Sequence, residues 1–128
     1  MKRALPALVI AALMLAGCGG TPRYRPTVAE GVAYQKGQAS FYHDNLHGHL
    51  TASGEPYDRD ELTAAHRSLP FGTRIRVTNV QNGKWVLLTV NDRGPFVKGR
   101  VVDVSRRAAH ELGFVRNGVV DVTIAIVE

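Results

Sequence analysis

Four side chains that can hold or transfer a proton lie beside short apolar segments of the sequence: Glu55, Asp58, His66 and Asp92. Asp92 directly follows the apolar, β-branched end of a predicted strand, and Arg93-Gly94-Pro95 follows it as a turn. A carboxylate in that place is held firmly at the edge of a sheet and stays accessible to a ligand. It could therefore take part in chemistry, or it could only brace the turn by accepting backbone amides or pairing with Arg93.

The other three groups have equally plain structural explanations. Glu55 and Asp58 lie in a polar loop, where charged side chains are usually solvated. His66 ends an alanine-rich segment, which is typical of a core histidine with satisfied hydrogen bonds. Three further histidines lie in one glycine-containing loop: His43, His47 and His49. These three lack a placed fourth ligand, so the sequence predicts no metal site and no cofactor.

The elements that would position these groups are short and mostly β. Residues 74–80 alternate polar and apolar side chains, Asn82-Gly83 favours a tight hairpin, and residues 84–90 return as the partner strand. Trp85 and Leu87 give the returning strand a second apolar face, as expected inside a closed barrel. Further elements are predicted as strands at residues 38–42, 101–104 and 119–127, and as an element of undecided type at residues 62–66.

One helix is predicted over residues 106–112, because Ser105 can cap its start and Gly113 can end it in the left-handed conformation. Its apolar residues Ala108, Ala109 and Leu112 would plug one end of the barrel. We therefore expect an all-β fold, a single barrel of about six strands with one or two short helices.

The first residues have the features of an export signal. Lys2 and Arg3 precede an apolar run at residues 4–15, which is too short to span a bilayer comfortably. Leu15-Ala16-Gly17-Cys18 resembles the lipobox of bacterial lipoproteins, in which the signal is cut before the cysteine and the thiol is lipidated. Gly19, rather than Asp, after the cysteine resembles lipoproteins that are sent to the outer membrane.

These features divide the chain into a lipoprotein signal peptide (1–17), a lipidated Cys18 with a flexible tether (18–36) and a barrel domain (37–128). Cys18 is the only cysteine, so no internal disulfide is possible. The formal net charge of +5 includes two positive charges in the signal, and the mildly basic remainder suits an anionic envelope polymer. We expect a lipid-anchored monomer in the bacterial cell envelope, at the outer membrane facing the periplasm, that binds no nucleic acid.

Several motifs follow one another along residues 37–127: Phe41-Tyr42, His47-Gly48, residues 51–55, residues 62–73, residues 91–96, Gly99-Arg100 and Asp103-Val104-Ser105. Together, and in this order, they resemble the RlpA (rare lipoprotein A) family of peptidoglycan lytic transglycosylases, whose fold is a six-stranded double-psi β-barrel. The resemblance covers nearly all of the expected barrel domain. It departs at His49, where the family usually has Arg.

The resemblance implies cleavage of peptidoglycan glycan strands, preferably stripped of stem peptides, between N-acetylmuramic acid and N-acetylglucosamine with formation of a 1,6-anhydro end. It places catalytic functions on Asp92, Glu55, His66 and Asp58. It also favours substrate binding by six residues: Tyr42, His47, Ser53, Arg93, Phe96 and Arg100.

The roles implied for the catalytic residues follow from the reaction. The 6-hydroxyl of the sugar is the nucleophile, so one carboxyl group can act first as acid and then as base. We assign that role to Asp92, with Glu55 as its partner or as the acid itself. His66 would orient a carboxylate or bind the sugar, and Asp58 would hold His66.

Some alternatives stay open at the level of the sequence. Arg93 and Arg100 could contact glycan or only form ion pairs, and Trp85 could stack on a sugar or only pack in the hairpin. The whole domain could be a non-catalytic, expansin-like module that binds cell-wall glycan, or a structural lipoprotein that tethers membrane to wall.

Overall fold

The computed structural model describes residues 32–127, and of Val32 only the backbone. The described elements are six strands and one helix: β1 (Val32–Phe41), β2 (Thr63–Ala65), β3 (Arg74–Asn79), β4 (Trp85–Asp92), β5 (Arg100–Val104), α1 (Arg106–Leu112) and β6 (Val120–Ile126). A three-residue 3₁₀ turn, Asp44–Leu46, follows β1. The predicted signal peptide, the lipidation site Cys18 and most of the predicted tether lie outside the described residues.

The strands close into a barrel in the order β1-β5-β2-β4-β3-β6. Two pairs are parallel, β1 with β5 and β2 with β4, and the other four are antiparallel. The prediction of an all-β, six-stranded barrel with one short helix is confirmed. The undecided element at residues 62–66 is a strand, β2, and His66 directly follows it.

The core lies inside the barrel because alternate residues of the strands face inward. On β4 these are Val86, Leu88 and Val90, all buried, as the alternation predicted. Buried partners come from the other strands and include Ala39, Ala64, Ile75, Val77, Val102, Val104, Val122 and Ile124.

Helix α1 closes one end of this core as predicted. Ala108, Ala109 and Leu112 are fully buried. The Ser105 hydroxyl accepts a hydrogen bond from the Ala108 backbone N–H at 3.2 Å, and Gly113 ends the helix at φ 74°.

Two details differ from the sequence-based expectations. β1 begins at Val32, before the domain boundary placed at Gly37, because the long strand β6 pairs with residues 32–36 as well. The second apolar face of β4 is not buried: Trp85 is 49% exposed on the barrel exterior, and the Arg76 guanidinium lies 6.0 Å from its ring. Half-buried exterior apolar residues are common on such strands.

Within residues 32–127, none of the helices is long and apolar enough to cross a membrane.

Candidate active site

Asp92 is the last residue of β4, and its carboxylate is surrounded by hydrogen-bond donors. Oδ2 accepts from the Tyr42 hydroxyl at 2.5 Å. Oδ1 accepts from the backbone N–H groups of Ala52 at 2.8 Å and Arg93 at 2.9 Å. The side chain is partly exposed. The Arg93 amide is a turn contact, as the bracing interpretation predicted, whereas the contacts with Tyr42 and Ala52 come from distant segments.

Tyr42 is fixed in place by a second tyrosine. Its ring stacks on that of Tyr57, with centroids 4.2 Å apart and planes 12° apart. Tyr57 is buried, and its hydroxyl accepts from the Arg106 backbone N–H at 3.0 Å. Burial, and then the hydrogen bond to Asp92, raises the pKa of Tyr42 far above its ordinary value. The hydroxyl therefore keeps its proton and remains a donor to Asp92.

The loop over residues 50–56 carries the Ala52 amide to Asp92. The loop closes through a bridge between Leu50 and Pro56 and a hydrogen bond from the Thr51 N–H to the Glu55 carbonyl at 2.9 Å. Ser53 braces it, because its hydroxyl lies 2.9 Å from that of Thr51 and accepts from the Glu55 N–H at 3.3 Å. The predicted substrate-binding residue Ser53 therefore already has partners within its own loop.

Glu55 lies in the same loop, but it lines a separate cavity and does not contact Asp92. It is exposed, and among residues 32–127 its carboxylate makes no hydrogen bond or ion pair with Asp92. It lines a cavity of about 360 Å³ together with Glu61, Leu62, Thr63, Thr89, Asn91 and Arg107. The structure thus places Glu55 near the Asp92 loop contacts without joining the two carboxylates directly.

His66 is buried, and both of its ring nitrogens have partners. Nδ1 accepts from the backbone N–H groups of Ser68 and Leu69, each at 3.1 Å, so the ring proton lies on Nε2, 2.9 Å from the Gln35 side-chain oxygen. Burial, and then the nearby charges of Arg93 and Arg67, lowers the pKa of His66. The ring is therefore neutral near pH 7 and fits the core-histidine interpretation.

His66 meets Asp92 through the backbone instead, since its N–H donates to the Asp92 carbonyl at 3.1 Å. Asp58 does not hold His66, contrary to expectation. The Asp58 carboxylate lies 4.0 Å from Nδ1 of His47 and accepts from the Asp60 N–H at 2.8 Å. Asp58 therefore contacts the exposed loop that contains His47. His66 lies elsewhere, directly after strand β2.

Arg93 is engaged with backbone carbonyls. It donates to the carbonyls of Leu69 at 2.8 Å and His66 at 3.3 Å, and its guanidinium lies 4.1 Å from the centroid of the Phe71 ring. Among residues 32–127 it forms no ion pair. Next to it Phe96 is 78% exposed, which keeps that residue available to a sugar.

Asp103, which is not among the predicted site residues, belongs to the same region. It lies on β5, accepts a hydrogen bond from the Ser40 hydroxyl and is influenced by the charge of Arg100, one of the predicted substrate-binding residues. Burial raises the pKa of Asp103, and the nearby Asp92 carboxylate adds to the rise, while the Ser40 hydrogen bond and Arg100 oppose it. In the sequence, Asp103 could have been noticed because it is a single carboxylate among the valines of a short strand.

Among residues 32–127 no group of three histidine, cysteine, aspartate or glutamate side chains is arranged to hold a metal ion. His47 is about half exposed, and its Nδ1 accepts from the Arg59 N–H at 3.2 Å. The three loop histidines therefore do not converge on one point. What the site offers is carboxylates, a tyrosine hydroxyl and exposed aromatic rings, a set suited to acid–base work on a sugar.

Comparison with known families supports this interpretation. A family model described as "Lytic transglycolase" matches residues 34–124. The probable endolytic peptidoglycan transglycosylase RlpA of Synechocystis sp. is 51% identical over 92 residues, covering 72% of this chain and 29% of that protein. The endolytic peptidoglycan transglycosylase RlpA of Neisseria meningitidis serogroup A is 48% identical over 102 residues, covering 80% of this chain and 43% of that protein. The chain thus spans less than half the length of these relatives.

Solved structures agree with the predicted double-psi β-barrel. The Streptomyces papain inhibitor aligns with a TM-score of 0.60 at 25% identity, over 75% of this chain and 97% of its own. An expansin of Clavibacter michiganensis aligns with a TM-score of 0.58 at 22% identity, over 73% of this chain and 50% of its own. The likeness to the expansin concerns the fold alone.

Proposed function

Because the chain belongs to the lytic transglycolase family, we propose that it cleaves peptidoglycan glycan strands between N-acetylmuramic acid and N-acetylglucosamine, with formation of a 1,6-anhydro end. The names of its relatives support peptidoglycan as the substrate. Strands stripped of stem peptides are the expected form of that substrate. The observation that carries the proposal is the Asp92 carboxylate, held partly exposed by donors from three separate segments.

The reaction defines what Asp92 must do. The bond between C1 of the muramic residue and the leaving oxygen breaks, and the 6-hydroxyl of the same sugar bonds to C1. The 6-hydroxyl must therefore lose a proton to a base. We assign Asp92 as this base, because its carboxylate is partly exposed and is held in place by three protein donors. Tyr42 and the Ala52 amide hold its two oxygens in a fixed orientation.

The other predicted residues support this site in different ways. Phe96 and the Arg93–Phe71 pair would contact the sugar chain, and Arg100 would contact its carboxylate or hydroxyl groups. Glu55 and His47 would bind the strand beyond the cleaved bond, since both are on exposed loops beside the Asp92 region. His66 and Asp58 would position loops.

The test uses the purified full chain with intact sacculi and with glycan strands stripped of stem peptides. Products are analysed by mass spectrometry for 1,6-anhydromuramyl ends. Wild type should release them, Asp92→Asn should not, and the control Asp121→Asn, an exposed position on β6, should behave as wild type. Absence of anhydro products from wild type on both substrates, or their full release by Asp92→Asn, would contradict the proposal.

A non-catalytic module that binds cell-wall glycan is the alternative. The exposed aromatic side chain of Phe96 beside the site favours binding as such, with or without turnover. The same incubation separates the two functions, because co-sedimentation of wild type with sacculi without anhydro products indicates a binding module.

We also propose that Cys18 carries a lipid anchor that holds a monomeric domain at the outer membrane, facing the periplasm. The lipobox-like Leu15-Ala16-Gly17-Cys18 supports this. Palmitate labelling in a bacterial host should be lost in Cys18→Ser, and this variant should leave the outer-membrane fraction. Light scattering of the detergent-solubilised protein tests the monomer.

A further inference from the structure

The sequence-based expectation gives both protons of the reaction to Asp92, whereas the proposed scheme gives it only the proton of the 6-hydroxyl. One proton is then unassigned, and the barrel supplies one carboxyl group without a role. The leaving oxygen must receive a proton as its bond to C1 breaks. Asp92 already receives the proton of the 6-hydroxyl in our scheme. Asp103 lies in the same region and is partly exposed.

The strand register places Asp103 and Asp92 on one face of the barrel. Ser40 on β1 pairs with Asp103 on β5, Asp103 pairs with Ala65 on β2, and Ala65 pairs with Asp92 on β4. Directly paired residues of neighbouring strands project to the same side. The four residues therefore form one transverse row on the side of the strands that faces away from the core cluster, where Ser40 and Ala65 are covered and Asp92 and Asp103 are partly exposed.

Ala65 is the residue between the two carboxylates, and it contributes only a methyl group. With strands about 4.8 Å apart, the Cα atoms of Asp92 and Asp103 are separated by about 9–10 Å. No bulky side chain of β2 therefore stands between the two carboxyl groups, and both of them influence the Tyr42 hydroxyl.

The groups facing Asp103 come from several elements. Ser40 donates to it, the Arg100 guanidinium adjoins it on its own strand, and the Asp92 carboxylate and Tyr42 hydroxyl face it from β4 and the end of β1. Burial is the largest influence on its pKa and raises it. Asp92 by contrast accepts three hydrogen bonds from fixed donors. Two carboxyl groups in such different surroundings are suited to opposite roles in proton transfer.

We propose that Asp103 is a second catalytic residue, which donates the proton to the leaving glycosidic oxygen while Asp92 takes the proton of the 6-hydroxyl. The C1–oxygen bond breaks with its electron pair on the leaving oxygen, which takes the Asp103 proton. The 6-oxygen bonds to C1 and passes its proton to Asp92. Exchange with solvent restores both groups. This inference rests on the proposed lytic transglycosylase function.

The first test compares two leaving groups in wild type, Asp103→Asn and Asp92→Asn. One substrate is the stripped glycan strand, and the other is the p-nitrophenyl glycoside of the N-acetylglucosaminyl-N-acetylmuramic acid disaccharide. Because p-nitrophenolate leaves without a proton, Asp103→Asn should lose about 100- to 10,000-fold on the strand but stay within about tenfold on the aryl glycoside. Asp92→Asn should lose activity on both, and Asp121→Asn on neither.

Equal losses of Asp103→Asn on both substrates, with a wild-type thermal transition, or no loss on either, would overturn the inference. A wild type that yields no anhydro product from strands instead overturns the proposed function itself. The two failures are therefore distinguishable.

The second test keeps the carboxyl group and changes its surroundings. The Ser40 hydroxyl holds the pKa of Asp103 down, so Ser40→Ala should raise it. The alkaline limb of kcat/KM against pH reports the group that must be protonated, and it should move to higher pH in Ser40→Ala. An unmoved alkaline limb in an active, folded Ser40→Ala protein would show that Asp103 is not the donor.

Discussion

Arg67 and Arg93 each bind the backbone of the loop that carries the other. Arg93, after β4, donates to the carbonyls of Leu69 at 2.8 Å and His66 at 3.3 Å. Arg67, after β2, donates to the carbonyls of Pro95 at 2.6 Å and Val97 at 3.0 Å. The reciprocal contacts join the loop that begins with His66 to the loop that begins beside Asp92. The two loops at the edge of the candidate site are therefore held together by hydrogen bonds from both guanidinium groups.

Replacing either arginine should weaken both loops together. Hydrogen bonds to charged groups contribute about 1.5–3 kcal/mol each when buried, and partial exposure here reduces the expected loss to about 1–2 kcal/mol per Arg→Ala variant. Urea unfolding of Arg67→Ala, Arg93→Ala and the double variant gives the coupling. We expect the loss of the double variant to differ from the sum of the two single losses by more than about 0.5 kcal/mol. Arg116→Ala, at an exposed position, is the control; strictly additive losses would disprove the coupling.

Removing the Tyr42 hydroxyl should impair the reaction more than the fold. Tyr42→Phe keeps the ring that stacks on Tyr57 but removes the donor to Asp92, so one carboxylate oxygen loses its fixed orientation. We expect kcat for anhydro product release to fall about 10- to 100-fold, as for other losses of positioning, with a small change in Tm. Tyr34→Phe is the matched control, since Tyr34 is 45% exposed. An unchanged kcat in Tyr42→Phe would remove the hydroxyl from the mechanism.

Local sequence patterns predicted those parts of the fold that local physics decides. The alternation of β3, the Asn82-Gly83 turn and the capped helix α1 need only neighbours in sequence to be recognised. The same holds for Asp92, because an apolar strand that meets a Gly-Pro turn marks its own end. The helix has the predicted bounds, β3 ends one residue earlier than predicted and β4 ends two residues later, at Asp92.

The missed features depend on partners far away in sequence. Residues 32–36 show no clear period, and they become a strand because β6 lies beside them. Asp103 gains its meaning from the register that joins β5, β2 and β4, which no local pattern contains. The expected Asp58–His66 contact is absent for a local reason, because the backbone amides of Ser68 and Leu69 already donate to the His66 ring nitrogen.

Because β1 begins at Val32, Gly37 lies inside this strand, and its replacement tests how closely β1 packs against β5. A Cβ atom at Gly37 would lie 2.5 Å from a methyl group of Val101 and 3.2 Å from the Gly99 carbonyl oxygen. Because valine is stiff at χ1, Gly37→Ala should destabilise the protein by about 1–3 kcal/mol. The double variant Gly37→Ala/Val101→Ala should recover part of that loss, measured by urea unfolding against Val101→Ala alone. A neutral Gly37→Ala would indicate that β1 and β5 are not packed together at this point.

The buried His66 should make stability fall as the solution becomes mildly acidic. Its pKa is lowered in the folded protein from the ordinary value of 6.5, first by burial and then by Arg93 and Arg67. Near pH 7 and above, both the folded and unfolded states are neutral at this site, and the group has no effect on the pH dependence. As pH falls through 6.5, the unfolded state binds the proton first, so the free energy of unfolding decreases until the folded pKa is reached.

The measurement is urea unfolding between pH 7.5 and about pH 5, for wild type, His66→Asn and the exposed control His110→Gln. Wild type and His110→Gln should lose stability across the range below 6.5, while His66→Asn, although less stable throughout, should show a shallower slope. The difference between the wild-type and His66→Asn slopes isolates this one site, because the carboxylates titrate alike in both proteins. A difference of opposite sign would mean that the folded protein protonates His66 more readily than the unfolded chain does, and would return His66 to the set of groups able to exchange a proton in the site.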